Sequence, residues 1–414
     1  EMPRSIRYSR RYQSVPGAEA KRDQQRWAGS VCLSPTQEPC ARTWCPYNAP
    51  IHFRNQLLLF SNRIPRSGKN AMTRLLSAAT LLALCNSWSG LRADTKSDQE
   101  TTANDPAIIA GDAQVETLWE EGGFTEGAAV SPTGQIYFSD FGQPFDARPA
   151  RIMKFDPATK NTSVHSADSK MANGLMFDRR GRLIACCASP IGGARALVQV
   201  GSDGSIKKLV GQFEGKRFNS PNDLVIDRQG RIYFSDPKYV GPEKMELPSM
   251  DVYRYDPDGT LVRVTKDITK PNGVNLSPDG KTLYVAETDN GTAQAETDMD
   301  ATPGRMTLNA FPVKPDGSLG TKRVLVNFGK QTGIDGMTVD KKGNIYAAVR
   351  SADRFGIVVF SNTGKERAYI KTPDLPTNCC FGKGDDAATL YITAGKGFYR
   401  IAMKIPGTHS ARPE

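Results

Sequence analysis

The sequence predicts an all-β fold, a six-bladed β-propeller, because three features recur together six times along the chain. A polar residue stands eight positions before a tight turn, an aliphatic and aromatic strand follows that turn, and a third strand comes later in the same unit. The six units begin at Glu126, Asn173, Asn222, Asn272, Asp335 and Asn378. Repeats built only from short strands and turns are typical of propellers, so each unit predicts one blade.

Each unit can be followed through its own strands. The first unit runs from EGAAVSPTG through a turn at Gly134 into QIYFSD. The later turns fall at Gly181, Gly230, Gly280, Gly343 and Asp386. The later second strands are RLIACC, RIYFSD, TLYVAE, NIYAAV and TLYITA, and the third strands are RIMKFD, ALVQV, VYRYD, TLNAFPV, IVVF and FYRI. Glycine provides the backbone freedom that tight turns need, and β-branched and aromatic residues favour strands.

The six polar residues that open the units form what we call the polar ring. The first strand of a propeller blade lines the central channel, so these side chains are expected to point at one small volume near one mouth. Two carboxylates and four amides, with no thiolate or imidazole, suit a hard divalent cation, calcium above all, with zinc, magnesium or manganese as alternatives. The alternative interpretation is that Asn-Gly and Asp-Gly only turn the chain. It explains the glycines well but Glu126 poorly.

The charge of the chain is unevenly distributed between its ends. Residues 1–93 hold 14 Lys and Arg against 4 Asp and Glu, and residues 94–414 hold 40 of each kind. The net charge of +10 therefore gives no support for a nucleic-acid partner, because the repeat region is neutral. Residues 1–71 predict a basic, disordered extension or an artefact of start-site assignment.

Residues 72–93 have the pattern of a secretory signal peptide. Met72 and a nearby arginine precede an apolar stretch, Leu75–Cys85, and a tolerable cleavage site ends at Ala93. Eleven apolar-biased residues are too few to span a bilayer, so no stable membrane insertion is expected. If translation starts near Met72, we expect an exported protein, periplasmic or secreted, whose propeller domain is 94–414. A genuine basic targeting extension is the competing interpretation.

Histidine and cysteine chemistry is not expected at the axis. The three histidines, His52, His165 and His409, lie outside the polar ring, and no G-x-S-x-G, phosphate-loop or H-E-x-x-H motif is present. The repeats hold two vicinal cysteine pairs, 186–187 and 379–380, without metal-ligand spacing, which predicts buried free thiols, with one bridge between blades left open. Strand neighbours point to opposite faces, so at most one cysteine of each pair is expected to face the core. Chemistry at the axis is therefore expected to use a cation and carboxylates.

With these motifs in place, the chain resembles the SMP-30/gluconolactonase family of six-bladed, calcium-dependent lactonases. The resemblance covers about residues 115–404 and is carried by FTEGAAVSPTGQIYFSD, RFNSPNDLVIDRQGRIYFSDPKY, PNGVNLSPDGKTLYVAET, GIDGMTVDKKGNIY and TNCCFG followed by TLYIT. The Glu-Gly, Pro-Asn-Asp, Pro-Asn-Gly and Asp-Gly-Met openings in that blade order are more specific than turn glycines. The resemblance implies hydrolysis of a small-molecule lactone, such as gluconolactone, and leaves the oligomeric state open.

The resemblance also implies roles for individual residues of the polar ring. It makes Glu126, Asn272 and Asp335 the metal ligands, and it assigns proton transfer to Asp335 as the catalytic residue. Asn222 corresponds to a position near both metal and substrate, and Asn173 is a further candidate for substrate contact. The sixth ring residue, in blade six, matches no ligand of the family.

Two departures from the family pattern concern substrate recognition rather than the metal. Some members have an arginine two residues before the Asn222 position, where this chain has Ser220, and Arg217 in the same loop is the candidate to supply that charge. Many bacterial members read ACEH where this chain reads ACCAS at 185–189, so gluconolactone itself is less strongly implied than lactone hydrolysis. The alternatives are another ester or phosphotriester hydrolase on the same cage, or a non-catalytic binding platform.

Overall fold

Six four-stranded antiparallel sheets form the blades, which confirms the predicted six-bladed propeller. The computed structural model describes residues 104–143, 145, 147–190, 192–291 and 303–411. From the axis outward, the strands of blades one to three are Phe124–Val130, Ile136–Phe141, Arg151–Asp156, Asn161–Ser166; Ala172–Phe177, Leu183–Cys187, Ala196–Val200, Ile206–Val210; and Leu224–Ile226, Ile232–Ser235, Val252–Tyr255, Leu261–Thr265. Those of blades four to six are Pro271–Leu276, Thr282–Thr288, Met306–Pro312, Arg323–Asn327; Ile334–Val339, Ile345–Val349, Gly356–Phe360, Glu366–Lys371; and Pro376–Phe381, Thr389–Ala394, Gly397–Ala402, Glu116–Trp119. The inner strands contact one another in blade order and return to the first, which closes the ring.

The sixth blade joins the two ends of the propeller. Its outermost strand, Glu116–Trp119, precedes the first repeat in sequence and pairs antiparallel with Gly397–Ala402. Near the axis, the Thr377 hydroxyl donates to the Thr125 carbonyl oxygen at 2.8 Å, so the inner strands of blades six and one are also linked. Closure in this way leaves no blade without a neighbour, which removes an exposed seam from the ring.

Apolar side chains pack between neighbouring blades, so both faces of each sheet are covered. Cys186 belongs to a cluster with Phe234 of blade three, whereas Cys187 belongs to a cluster with Ile152 of blade one. The prediction that only one cysteine of each vicinal pair faces the core is therefore wrong, because stacking buries both faces. The cysteines of the described residues are all buried and unpaired: Cys186, Cys187, Cys379 and Cys380.

The C-terminal segment crosses the mouth of the channel opposite the polar ring. The Ser410 hydroxyl donates to the Ile226 carbonyl oxygen at 2.7 Å, and the Thr408 amide donates to the Val339 carbonyl oxygen at 3.0 Å. Both acceptors lie at the far ends of inner strands. This segment and the inner strands line a cavity of about 90 Å³ on the axis.

Two predictions about the ends of the chain lie outside the described residues. They are the extension at 1–71 and the signal-like segment at 72–93, and the domain start at 94 also stays a prediction. Among the residues that the structure describes, no helix has the length and apolar character needed to cross a membrane. The helical turn of this part is the short 3₁₀ segment Gly384–Asp386.

Candidate active site

Strand pairing is irregular at each position of the polar ring. In five blades a register shift lies beside the ring residue, and in blade three the inner strand begins only at Leu224, after the ring residue. The five shifts fall between Glu126 and Ala128, Ala172 and Leu175, Pro271 and Val274, Ile334 and Met337, and Pro376 and Asn378. A bulge removes a residue from the regular ladder and changes the direction of its side chain. The side chains of the ring residues therefore need not follow the regular alternation between the two faces of the sheet.

Glycines that follow ring residues let the blades approach closely at the axis. A β-carbon at Gly127, whose φ is +24°, would lie 2.1 Å from the Asn173 carbonyl oxygen. A β-carbon at Gly336 would lie 2.2 Å from the side-chain amide carbon of Asn378. Neither approach is possible for any other residue type, so these glycines are needed for more than the turn itself. The inner strands that carry the ring residues therefore lie close to one another around the axis.

The three predicted metal ligands, Glu126, Asn272 and Asp335, are buried and interact with one another. Their exposed fractions are 4, 5 and 8 %. Burial, followed by the negative charge of Asp335, raises the pKa of Glu126 well above its usual range. Burial also raises the pKa of Asp335, against the opposing effects of Arg350 and a hydrogen bond from the Asn272 amide. Two buried carboxylates that oppose each other's ionisation are stabilised by a divalent cation.

The side-chain oxygen of Asn272 supports the fit of this set to a hard cation. Asn272 Oδ1 is buried and has no hydrogen-bond partner in the described part of the chain. An unsatisfied buried acceptor costs about 1–3 kcal/mol, and an oxygen-binding cation would satisfy it. Within the same residues no group of three His, Cys, Asp or Glu side chains could hold a metal, so a site here requires amide oxygens. The carboxylates of Glu126 and Asp335 together with this amide oxygen provide that chemistry.

An arginine that the sequence did not single out lies beside Asp335. The Nη1 atom of Arg350 is 3.3 Å from Asp335 Oδ2 and donates to the Pro376 carbonyl oxygen at 3.0 Å. Its guanidinium carbon is 5.9 Å from the centre of the Phe124 ring. Arg350 directly follows the second strand of blade five, where that strand returns to the mouth, and this position was the signal available in the sequence.

Arg217 is the third residue predicted to contact the substrate. It is exposed in a hairpin formed by Gln212–Phe213 and Lys216–Arg217, and its backbone amide donates to Glu246 Oε2 at 2.9 Å. The guanidinium that lies beside Asp335 is that of Arg350. The role of Arg217 in substrate recognition stays a prediction.

Tyr239 is a second residue near the predicted ligands that the sequence did not single out. Its hydroxyl donates to the Thr288 carbonyl oxygen at 3.0 Å, and the Lys270 ammonium lies 4.4 Å from its ring centre. Burial, followed by the charge of Asp335, raises its pKa well above the usual range, and a hydrogen bond with Asn272 opposes that rise. Tyr239 therefore lies next to the candidate cation site as a neutral phenol.

Asp223 adds a buried carboxylate beside the polar ring. It accepts hydrogen bonds from the backbone amides of Leu224, at 2.9 Å, and Val274, at 3.2 Å. Burial raises the pKa of Asp223 to about 7, although these bonds and the Asn378 amide lower it. Asn378 in turn accepts a hydrogen bond from the Cys379 amide at 2.9 Å, so its oxygen is already engaged. This arrangement agrees with the absence of an implied metal role for Asn378.

The two predicted substrate contacts occupy adjacent ring positions. The Asn222 carbonyl oxygen accepts a hydrogen bond from the Gly174 amide at 2.8 Å, and the Asn173 carbonyl oxygen accepts one from the Ser139 hydroxyl at 2.7 Å. These bonds fix the backbone of both residues and leave the side chains for other contacts. The roles of Asn222 and Asn173 stay predictions.

The six blades and the buried carboxylate and amide oxygens at one mouth define the class of protein. It is a six-bladed propeller with a candidate cation-dependent site. The family described as SMP-30/Gluconolactonase/LRE-like region matches residues 124–396, and the chain belongs to this family.

Relatives and a solved structure agree with that assignment. The gluconolactonase of Zymomonas mobilis is 29 % identical over 297 residues, which span 68 % of this chain and 64 % of that protein. The lactonohydrolase oryL of Aspergillus oryzae is 26 % identical over 305 residues, 68 % of each chain. The solved structure of a gluconolactonase from Xanthomonas campestris is 30 % identical, covers 73 % of this chain and 95 % of its own, and has a TM-score of 0.61.

Proposed function

We propose that this chain hydrolyses lactones with the help of a divalent cation held in the polar ring. The observation that carries the proposal is the unpartnered oxygen of Asn272 beside two buried carboxylates that oppose each other's ionisation. Hard oxygen ligands favour calcium, with zinc, magnesium and manganese as alternatives. The names of the gluconolactonase and lactonohydrolase relatives support a lactone as the substrate.

The residues of the ring would divide the work of hydrolysis. Glu126, Asn272 and Asp335 would hold the cation, which when bound polarises the lactone carbonyl and stabilises the negative charge that develops on its oxygen. Asp335 would also accept a proton from the attacking water and deliver one to the leaving hydroxyl. The amides of Asn222 and Asn173 would orient the ring oxygens of the substrate.

Export is part of the same proposal. Its support is the basic and apolar pattern of residues 72–93, which ends in Leu-Arg-Ala. We expect the mature protein to begin at or near residue 94 outside the cytoplasm. Cell fractionation followed by mass spectrometry of the N-terminal peptide tests this, and an uncleaved cytoplasmic chain would contradict it.

The replacement Asp335→Asn separates metal binding from proton transfer. An amide oxygen can still bind a cation but cannot accept the proton, so the variant should stay nearly inactive on lactones even at saturating calcium. General-base catalysis typically contributes about 10²- to 10⁴-fold, which a pH-indicator assay on a lactone panel resolves easily. Calorimetry on the same samples confirms that the cation is bound.

Each outcome of this experiment has a defined meaning. Near-normal turnover by metal-saturated Asp335→Asn would rule out the proton-transfer role. Calcium-loaded wild-type protein that hydrolyses phosphotriesters but no lactone would favour the alternative hydrolase. A wild-type protein that binds calcium without hydrolysing any ester would favour a binding platform.

A further inference from the structure

Arg350 has hydrogen-bond donors beyond those that hold it in place. The contacts to Asp335 and to the Pro376 carbonyl oxygen both use Nη1. Its Nε and Nη2 atoms make no hydrogen bond to any residue that the structure describes, and 22 % of the side chain is exposed. A guanidinium carries five N–H donors in a planar fork, so one edge of the Arg350 fork is open to a ligand.

The position of Arg350 is supported by an aromatic wall. Its guanidinium lies 5.9 Å from the ring centre of Phe124, two residues before Glu126. Phe124 in turn packs against Phe141 and Phe145, with ring centres 6.3 and 6.2 Å apart. A guanidinium held against an aromatic face loses less conformational freedom when it binds a ligand. Arg350 is therefore already oriented beside the cation site.

The charges in contact with Arg350 leave its guanidinium available to an anionic group once a cation is bound. The two negative charges of Glu126 and Asp335 are cancelled by a divalent cation, and the guanidinium adds one positive charge. Asp223 directs its carboxylate oxygens at the backbone amides of Leu224 and Val274, so it does not pair with Arg350. A negatively charged substituent of the substrate would be attracted to this mouth.

We propose that Arg350 selects lactones that carry a carboxylate, namely lactones of dicarboxylic sugar acids. The inference rests on the proposed lactonase function and names its substrate class. The open edge of the guanidinium would donate two parallel hydrogen bonds to the carboxylate, while the lactone carbonyl stays at the cation site. A neutral sugar lactone has a hydroxymethyl group in place of the carboxylate and gains no charge-assisted bond.

The 1,5-lactones of glucaric acid and gluconic acid, called glucarolactone and gluconolactone here, are matched probes for this inference, because they share one ring size and differ only in that group. With the calcium-loaded full chain, kcat/KM should be higher for glucarolactone. Arg350→Gln should lower the ratio of the two values by about 10- to 100-fold, mainly through the KM for glucarolactone, as expected for a lost charge-assisted hydrogen bond. Arg350→Lys keeps the positive charge but loses the planar pair of donors. The ratio of the two kcat/KM values in Arg350→Lys should therefore fall between the ratios of the wild type and Arg350→Gln.

Arg354→Gln is the matched control for the loss of one arginine from the same blade. Arg354 pairs with Glu366 at 2.7 Å and lies 4.2 Å from the ring centre of Tyr369, away from the polar ring. This variant should keep the wild-type substrate ratio. A fall as large as that in Arg350→Gln would overturn the inference, because the effect would then come from general charge.

Two further results would also overturn it. If Arg350→Gln lowered kcat/KM equally for both lactones, Arg350 would act only through Asp335. If the wild type had the same kcat/KM for both lactones, there would be no selectivity to explain. If neither lactone is hydrolysed, the proposed function fails, and calorimetry with glucarate at saturating calcium still decides the role of Arg350. Binding by the wild type that Arg350→Gln abolishes supports a carboxylate site, whereas no binding by the wild type refutes it.

Discussion

Replacement of Asp223 by asparagine tests the electrostatics beside the polar ring in metal-free protein. The Asp223 carboxylate is buried and accepts hydrogen bonds from the backbone amides of Leu224 and Val274. Burial raises its pKa from the ordinary value of 3.8 to about 7. Between these two values the folded protein keeps a proton on Asp223 that the unfolded chain has lost.

The sign and size of the effect follow from this difference in proton binding. The folded state binds more protons than the unfolded state, so the free energy of unfolding of the wild type falls as pH rises through this window. About three pKa units at about 1.4 kcal/mol each give a loss of about 4 kcal/mol between about pH 4 and pH 7. Asparagine does not titrate. As pH rises, the free energy of unfolding of Asp223→Asn should therefore increase by that amount relative to the wild type. The changed hydrogen bonds add a cost that does not depend on pH and so does not alter this shift.

Urea unfolding of the full chain in the presence of a chelator, at about pH 5, 6 and 8, measures the part of this shift that falls above pH 5, about 3 kcal/mol. Asp236→Asn is the matched variant away from the ring, because Asp236 is also buried, accepts the amides of Asn219 and Ser220, and has its pKa raised to about 7. It should show a similar shift, whereas Asp258→Asn on the surface should show none. A difference between Asp223→Asn and the wild type that is independent of pH, or that moves against the variant as pH rises, would refute the reasoning.

Metal binding should depend on the three implied ligands and not on every ring residue. Glu126→Gln and Asn272→Ala should each weaken calcium binding measured by calorimetry. Loss of a residue that only supports a metal ligand typically costs about 10- to 100-fold in affinity, and these two losses should be larger. Glu126→Gln should cost more than Asn272→Ala, because it also removes a negative charge. Asn378→Ala should change calcium affinity little, since the Asn378 side-chain oxygen already accepts a hydrogen bond from the Cys379 amide. An equal loss of affinity in Asn378→Ala would show that the metal ligands have been assigned to the wrong ring positions. A fragment of 94–414 should bind calcium and unfold as cooperatively as the full chain, because it contains all six repeats. Loss of cooperativity in that fragment would give the basic extension a structural role.

The six-bladed architecture was predictable because its determinants are local and repeated. Each blade carries the same order of polar residue, turn and strand within a short stretch, so the pattern survives changes in individual residues. The strand Glu116–Trp119 was not predicted, since it occurs once and its partner, Gly397–Ala402, lies at the other end of the propeller. Pairing between distant segments leaves no periodic pattern in the sequence.

The same distinction explains the site. The polar ring was found because its six residues recur at one position, whereas Arg350 and Tyr239 occur once, at the ends of a strand and in a loop. The repeat predicts which backbone positions approach the axis. It does not predict which single side chains from the mouth reach those positions, because their placement depends on strand ends and loops that differ between blades.

The position after each ring residue shows how the blades depart from sixfold symmetry. Four blades have glycine there, and the close approaches at Gly127 and Gly336 explain why a side chain is excluded. Blades three and six have Asp223 and Cys379 instead, and these blades face each other across a six-membered ring. The Asn378 amide interacts with Asp223, and the Asp223 charge acts on Cys379, so side chains of the two opposite blades meet on the axis. Two of the glycines make room for these side chains, because a β-carbon at Gly174 would lie 2.7 Å from Asp223 Oδ1 and one at Gly336 would lie 2.2 Å from the side-chain amide carbon of Asn378. A buried carboxylate, Asp223, thereby lies next to the polar ring. In this propeller the repeated positions bring polar side chains to the axis, and the residues that differ between blades, Glu126, Asp335 and Asp223, supply the carboxylates there.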